Sequence, residues 1–123
     1  MAYTSLNNLV PTVELARQII GKISPPKKIS IDMIQNIVSE YYNVDKTSLL
    51  GRQRTKDIAW ARQIAMYLSR VLTDSSFPQI GETFGGKDHS TVQHAYEKIK
   101  NIIQVDINLN NEIQKIIDKI KFY

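Results

Sequence analysis

The sequence of 123 residues contains no cysteine. This absence excludes disulfide bonds, thiolate zinc sites and cysteine nucleophiles, and it is typical of proteins from a reducing cytoplasm. No apolar run approaches the roughly 20 residues that a membrane-spanning helix needs. The first residues also lack the charged and then apolar layout of a signal peptide. The sequence therefore predicts a soluble, cytoplasmic protein without a membrane span.

Groups suited to catalysis are scarce. The chain has only two histidines, His89 and His94. Their spacing separates them by about 140° around a helix, so they cannot bind one metal ion from the same face. The sequence also lacks the GxxxxGK[ST] loop that binds nucleotide phosphates. We therefore expect no enzymatic activity and no cofactor or metal bound to this chain.

Proline is also rare, and one pair of prolines marks a boundary. Pro25–Pro26 disfavours helix and predicts a linker over residues 23–30. The preceding residues 1–22 contain the pattern of one short helix. We therefore divide the chain into residues 1–29 and a domain over residues 30–123.

Apolar residues recur at helical spacing through this domain, and no segment predicts a pair of strands. Ser30, Ser76 and Asp88 are suitable N-caps. The pattern predicts helices or single helical turns over residues 30–43, 46–50, 57–73, 76–84, 88–103 and 109–120. The expected fold is all-α, a helical bundle.

Basic residues concentrate between residues 52 and 70. The chain as a whole carries a mild formal charge of +4. This window has one acid, Asp57, and five basic residues: Arg52, Arg54, Lys56, Arg62 and Arg70. Its first part has no apolar anchor and predicts an exposed basic loop before the helix at 57–73. Alone, such a charge run is usually only a solvated face.

Residues 76–103 combine a short helix, a turn at Gly85–Gly86 and a longer helix, which is the layout of a helix-turn-helix. Many helical proteins share that layout, so the chemistry of the second helix matters more. A recognition helix presents its N-terminal residues to base edges in the major groove. Small or polar residues occupy the start of the second helix in this sequence: Lys87, Asp88, His89, Ser90 and Thr91. An ordinary N-cap role explains Asp88 equally well.

The segment GGKDHSTVQHA resembles the signature of the C-terminal DNA-binding domain of the DnaA initiator family. The resemblance continues through RQRTKDIAWARQIAMYLSRVL, FPQIGETFG and AYEKI. It implies sequence-specific binding of double-stranded DNA at replication-origin boxes such as TTATCCACA, for the initiation of chromosome replication in the nucleoid. Residues 1–22 resemble the end of the lid of that family's ATPase module. Residues 1–29 would then be a lid and linker remnant, and ATP binding and self-association would belong to the absent module.

The resemblance also assigns roles to single residues. Arg54 matches an arginine of the basic loop that enters the minor groove. Asp88, His89, Ser90 and Thr91 match residues that contact bases in the major groove. Contacts to the DNA backbone are expected from Arg62, Gln63, Arg70, Pro78, Lys87 and Lys98. Gln53 makes the loop less basic than in many relatives, and Ser90 stands where threonine is also common.

Two other functions fit the same sequence. A helix-turn-helix transcription regulator would use the same elements on other sites. A helical bundle that binds only proteins would use the isoleucine-rich helix at 109–120 for docking, although such a helix more often closes a core.

Overall fold

The computed structural model describes residues 28–122. It has six helices, and no strand occurs in this part of the chain. The helices are α1 (Ile31–Tyr42), α2 (Lys46–Leu50), α3 (Lys56–Leu72), α4 (Phe77–Thr83), α5 (His89–Val105) and α6 (Ile107–Lys121). The all-α prediction is therefore confirmed. The helix predicted within residues 1–22 and the Pro25–Pro26 linker lie outside the described residues, so the domain division stays a prediction.

The three predicted N-caps begin the helices as expected. The Ser30 hydroxyl accepts a hydrogen bond of 3.2 Å from the Met33 amide. Ser76 and Gln79 form a reciprocal capping box at the start of α4. The Asp88 carboxylate accepts from the Ser90 amide at 3.2 Å and begins α5. These local hydrogen bonds satisfy amides that have no partner within the helix.

The core lies where α3 packs between α1 and α5. α4 covers one end of α5, and α6 packs against α1 and α5. The largest fully buried side chains come from all six helices and from Phe84, which directly follows α4. They are Ile34, Val38, Leu49, Ile64, Met66, Leu68, Ile80, Phe84, Val92, Ile99, Ile116 and Ile120. The apolar stripes predicted from sequence therefore meet in one interior.

The last helix closes this core. Leu109, Ile113, Ile116 and Ile120 are buried, and the Tyr42 hydroxyl donates a hydrogen bond to the Glu112 carboxylate between α1 and α6. α6 begins at Ile107, slightly earlier than predicted, because Asp106 ends α5 and caps α6. None of the helices within residues 28–122 is long and apolar enough to cross a bilayer.

Candidate nucleic-acid interface

The turn between α4 and α5 is tight because it is built from glycines. Gly85 and Gly86 have φ values of 82° and 79°, the left-handed region that favours glycine. The Lys87 amide donates to the Gly81 carbonyl oxygen at 2.8 Å. A Cβ atom on Gly81 would lie 2.1 Å from the Lys87 carbonyl oxygen. The sequence thus lets α4 and α5 approach as a helix-turn-helix requires.

The N-terminus of α5 is organised by Asp88. Its carboxylate accepts hydrogen bonds from the Ser90 hydroxyl and the Ser90 amide. These two bonds, the hydroxyl first, hold the pKa of the Asp88 carboxyl below its usual value. The Nδ1 atom of His89 lies 3.8 Å from the same carboxylate. Asp88 is an exposed N-cap, and the part of its carboxylate that does not bond Ser90 is accessible to an external hydrogen-bond donor.

An open cleft of about 590 Å³ separates the basic loop from one face of α5. Arg52 and Arg54 line its loop side. Its α5 side consists of residues that share one helical face: Asp88, Thr91, His94, Ala95 and Lys98. The lining is completed by Ala59, Arg62, Gln63, Met66, Gly86 and Lys87. Five cationic side chains thus surround a cleft that contains one carboxylate, which favours a polyanionic ligand.

Arg62 lies beneath the loop and differs from the expected surface position. Its side chain is only 8% exposed. Its Nε donates to the Leu49 carbonyl at 2.7 Å, and its two Nη atoms donate to the carbonyls of Gln53 and Ser48 at 3.0 and 2.9 Å. Burial, and then the charge of Arg54, lower the pKa of Arg62. Three of its five N–H groups therefore hold the chain around the loop, and its predicted DNA contact stays a prediction.

Lys87 is similarly engaged within the protein. Its Nζ donates to the carbonyl oxygens of Gly51 at 2.8 Å, Phe84 at 2.9 Å and Leu50 at 3.3 Å. Burial lowers the pKa of Lys87, and the charges of Arg62 and Arg52 add to the effect. Because an ammonium group has three hydrogens, all of its donors have partners in the chain. The expected hydrogen bond to a DNA phosphate would have to replace one of these.

Residues 31–99 match the family model described as the bacterial dnaA protein helix-turn-helix. The matched segment runs from the start of α1 into α5 and contains the whole cleft, and it covers more than half of the chain. The chain belongs to this family. The helix-turn-helix of this family is a DNA-binding element.

Within this DnaA helix-turn-helix, the cleft brings together some of the predicted base-contacting residues and separates others. Arg54, Asp88 and Thr91 line it. His89 and Ser90 do not; the His89 side chain is 61% exposed, and the Ser90 hydroxyl is engaged with Asp88. His94 lines the cleft although it was not assigned a site role. The missed signal was its spacing, because Thr91, three positions before it, and Lys98, four positions after it, share its face.

The predicted backbone-contacting residues divide between two surfaces. Gln63 and Lys98 line the cleft, and the Lys98 ammonium lies 5.9 Å from the centre of the Trp60 ring. Arg70 instead lies by the start of α4, where it donates to the Ser75 carbonyl at 2.9 Å and packs 4.5 Å from the Phe77 ring centre. Pro78, in the first turn of α4, is exposed there too. Arg70 and Pro78 therefore lie outside the cleft, at the start of α4.

No site for a metal ion occurs in the described part of the chain. Residues 28–122 contain no group of three or more His, Asp or Glu side chains close enough to bind one.

Proposed function

We propose that this chain binds double-stranded DNA sequence-specifically at DnaA-type boxes in a replication origin. α5 would lie in the major groove, and Arg54 would enter the adjacent minor groove. The observation that supports this most is the cleft itself, because it places Arg54 across from the face of α5 that carries Asp88 and Thr91. The sugar-phosphate strand that separates the two grooves would then lie in the cleft, with Arg54 on its minor-groove side and α5 on its major-groove side.

Base contacts in the major groove would come from the first turns of α5. Asp88 can accept from a cytosine amino group, His89 can donate or accept, and the Thr91 methyl can meet a thymine methyl. All three side chains are exposed. His94 adds a donor and acceptor one turn further along the same face as Thr91. The readout would therefore extend over roughly the first two turns of the helix.

Contacts to the phosphates would position α5 without carrying sequence information. Lys98 lies along the cleft, whereas Arg70 contacts the start of α4 and Pro78 lies in its first turn, so two stretches of the DNA backbone would be held. Arg54 has a different role, since an arginine inserted into a minor groove responds to groove width and A·T content. Substitution of a phosphate-contacting residue should therefore weaken the binding of all sequences similarly, whereas substitution of Arg54 should change the preference between sequences.

The test is a fluorescence anisotropy titration of the protein with a duplex that contains TTATCCACA and with a scrambled duplex, at several salt concentrations. We expect tighter binding of the box, and equal affinity for both duplexes would contradict the proposal. His89→Ala should weaken box binding by about 1–3 kcal/mol and relax the preference.

Arg54→Ala tests the minor-groove contact, with Lys56→Ala as its matched control. Both residues are exposed cations of the same segment, but Lys56 does not line the cleft. We expect Arg54→Ala to lower the ratio of box to scrambled affinity, and Lys56→Ala to leave that ratio nearly unchanged. If Arg54→Ala bound the box as tightly as the unmodified protein, the minor-groove assignment would be wrong.

A further inference from the structure

The base of the basic loop and the helix-turn-helix turn meet at one ammonium group. Lys87 Nζ donates to Leu50 and Gly51, which precede the loop, and to Phe84, which precedes the glycine turn. Lys87 and Gly51 are 36 residues apart in sequence. The ammonium therefore joins two segments that are distant in the sequence.

The backbone of the turn also touches the loop directly. A Cβ atom on Gly85 would lie 2.2 Å from the Leu50 carbonyl oxygen. From the other side, Arg62 holds the carbonyls of Leu49 and Gln53. The loop is thus anchored at its start by α3 and by the turn, while Arg54 beyond it stays exposed.

Both proposed DNA-contacting elements begin close to this anchor. Arg54 follows Gly51 by three residues, and Asp88 directly follows Lys87. A small change in the distance between Gly51 and Lys87 would consequently change the separation of the two groove contacts. A misplacement of about 1 Å is enough to weaken hydrogen bonds to base edges.

We propose, on the basis of the function proposed above, that Lys87 is a positioning residue that fixes the basic loop relative to α5 so that Arg54 and the recognition helix engage their grooves together. In this role it makes no hydrogen bond to a phosphate. Its charge is already compensated by three carbonyl dipoles, and its three donors are all used.

The positioning role can be tested without DNA. In the ¹⁵N spectrum of the unmodified protein, the Lys87 ammonium should give a slowly exchanging signal because its hydrogens are bonded to carbonyls, unlike the exposed Lys98. In hydrogen-exchange mass spectrometry, Lys87→Met should speed exchange over residues 49–51, where the amides of Leu49 and Gly51 are hydrogen-bonded, whereas Lys98→Met should not. Rapid exchange of the Lys87 ammonium would overturn the proposal even if Lys87→Met failed to fold, and so would unchanged exchange over residues 49–51 in a folded variant.

A double-mutant cycle with DNA separates positioning from a phosphate contact. Lys87→Met should weaken box binding about tenfold in the unmodified background and far less in Arg54→Ala, because its effect depends on the placement of Arg54. The dependence of log affinity on log salt should stay the same, whereas loss of a phosphate contact would reduce its slope by about one. Additive effects together with a reduced slope would overturn the proposal.

Lys87→Arg completes the design, since a guanidinium can also donate to several carbonyls and should restore most of the affinity. The control for the double-mutant cycle is Lys98→Met, which should combine additively with Arg54→Ala. If no protein, including the unmodified one, distinguished the box from the scrambled duplex, the proposed function would fail. The DNA-free exchange measurements would still decide whether Lys87 holds the loop.

Discussion

The Nε atom of Arg62 donates a hydrogen bond of 2.7 Å to the carbonyl oxygen of Leu49 and joins α3 to the end of α2. The Leu49 side chain is fully buried and belongs to the core. The guanidinium therefore connects the interior to the basic loop, whose Gln53 carbonyl it also holds. The order of the loop depends on a charge that is almost removed from solvent.

Replacing this guanidinium should destabilise the fold. Arg62→Met keeps a long apolar side chain but leaves three carbonyls without their charged donor, so we expect a loss of about 2–3 kcal/mol in the free energy of unfolding. Arg54→Met is the matched control, and its exposed side chain should change stability by less than about 0.5 kcal/mol. Urea denaturation measures both. Equal stabilities of the two variants would show that the Arg62 hydrogen bonds contribute nothing net.

The two glycines of the turn should differ in their sensitivity. Both have positive φ, so Gly86→Ala, where a Cβ meets nothing within 4 Å, should cost about 1 kcal/mol of backbone strain. Gly85→Ala adds the overlap with the Leu50 carbonyl and should cost about 1–3 kcal/mol more. Thermal or urea unfolding of the two variants checks the order. A smaller loss for Gly85→Ala would mean that the loop can move away from the turn.

The helices were predictable because their signals are local. Apolar spacing and caps such as Ser30 and Ser76 act within a few residues, and the structure has them where the sequence indicated. The start of α6 is also fixed by a local signal, since the Asp106 carboxylate accepts from the amides of Asn108 and Leu109. The sequence does not mark this start clearly, because Asp106 ends one helix and begins the next without an intervening turn residue.

The roles of the basic side chains were not predictable in the same way. The carbonyl partners of Lys87 and Arg62 are mostly distant in sequence, and periodicity carries no information about such contacts. Charge density around residues 52–70 fits a solvated face as well as a polyanion interface, and it could not show which cations face outward. Only the fold distinguishes Arg54, which is exposed, from Arg62, which is buried.

The role of α6 can be tested by comparing two isoleucines of the same helix. Ile116 is fully buried, whereas Ile107 is 66% exposed. Ile116→Ala should lower the free energy of unfolding by about 2–5 kcal/mol because it leaves a cavity in the core. Ile107→Ala should change it by less than about 0.5 kcal/mol. Similar small effects at both positions would indicate that α6 does not close the core.

The cap of α5 should make stability depend on pH. The pKa of Asp88 is lower in the folded protein than its ordinary value of 3.8, mainly through the Ser90 hydroxyl. A carboxyl with a lowered folded pKa contributes stability that is present above the unfolded pKa and is lost as pH falls through the folded one. Asp88→Asn keeps an N-cap oxygen but cannot ionise.

We therefore expect the unmodified protein to have a higher Tm than Asp88→Asn near neutral pH. The difference should shrink as the pH is lowered past 3.8. Melting curves followed by circular dichroism across this range measure it. A difference that stays constant with pH would show that ionisation of Asp88 does not contribute to the cap.

Two lysines allow the proposed DNA-binding cleft to be compared with a surface outside it. Lys98 lines the cleft, while Lys119 is an exposed residue near the C-terminal end of α6 and lies outside it. Each contributes the same formal charge to the chain, so a purely global electrostatic attraction would respond similarly to either loss. If Lys98 contacts a phosphate and Lys119 does not, only the loss of Lys98 should reduce the number of counterions released on binding.

Lys98→Ala should accordingly reduce the slope of log affinity against log salt by about one, and should weaken box and scrambled duplexes to a similar extent. Lys119→Ala should leave the slope unchanged. The same titrations can be followed by the fluorescence of Trp60, the single tryptophan, whose ring lies beside the Lys98 ammonium. If both variants changed the slope equally, the cleft would have no special part in holding the DNA backbone, and attraction by the net charge would explain the binding.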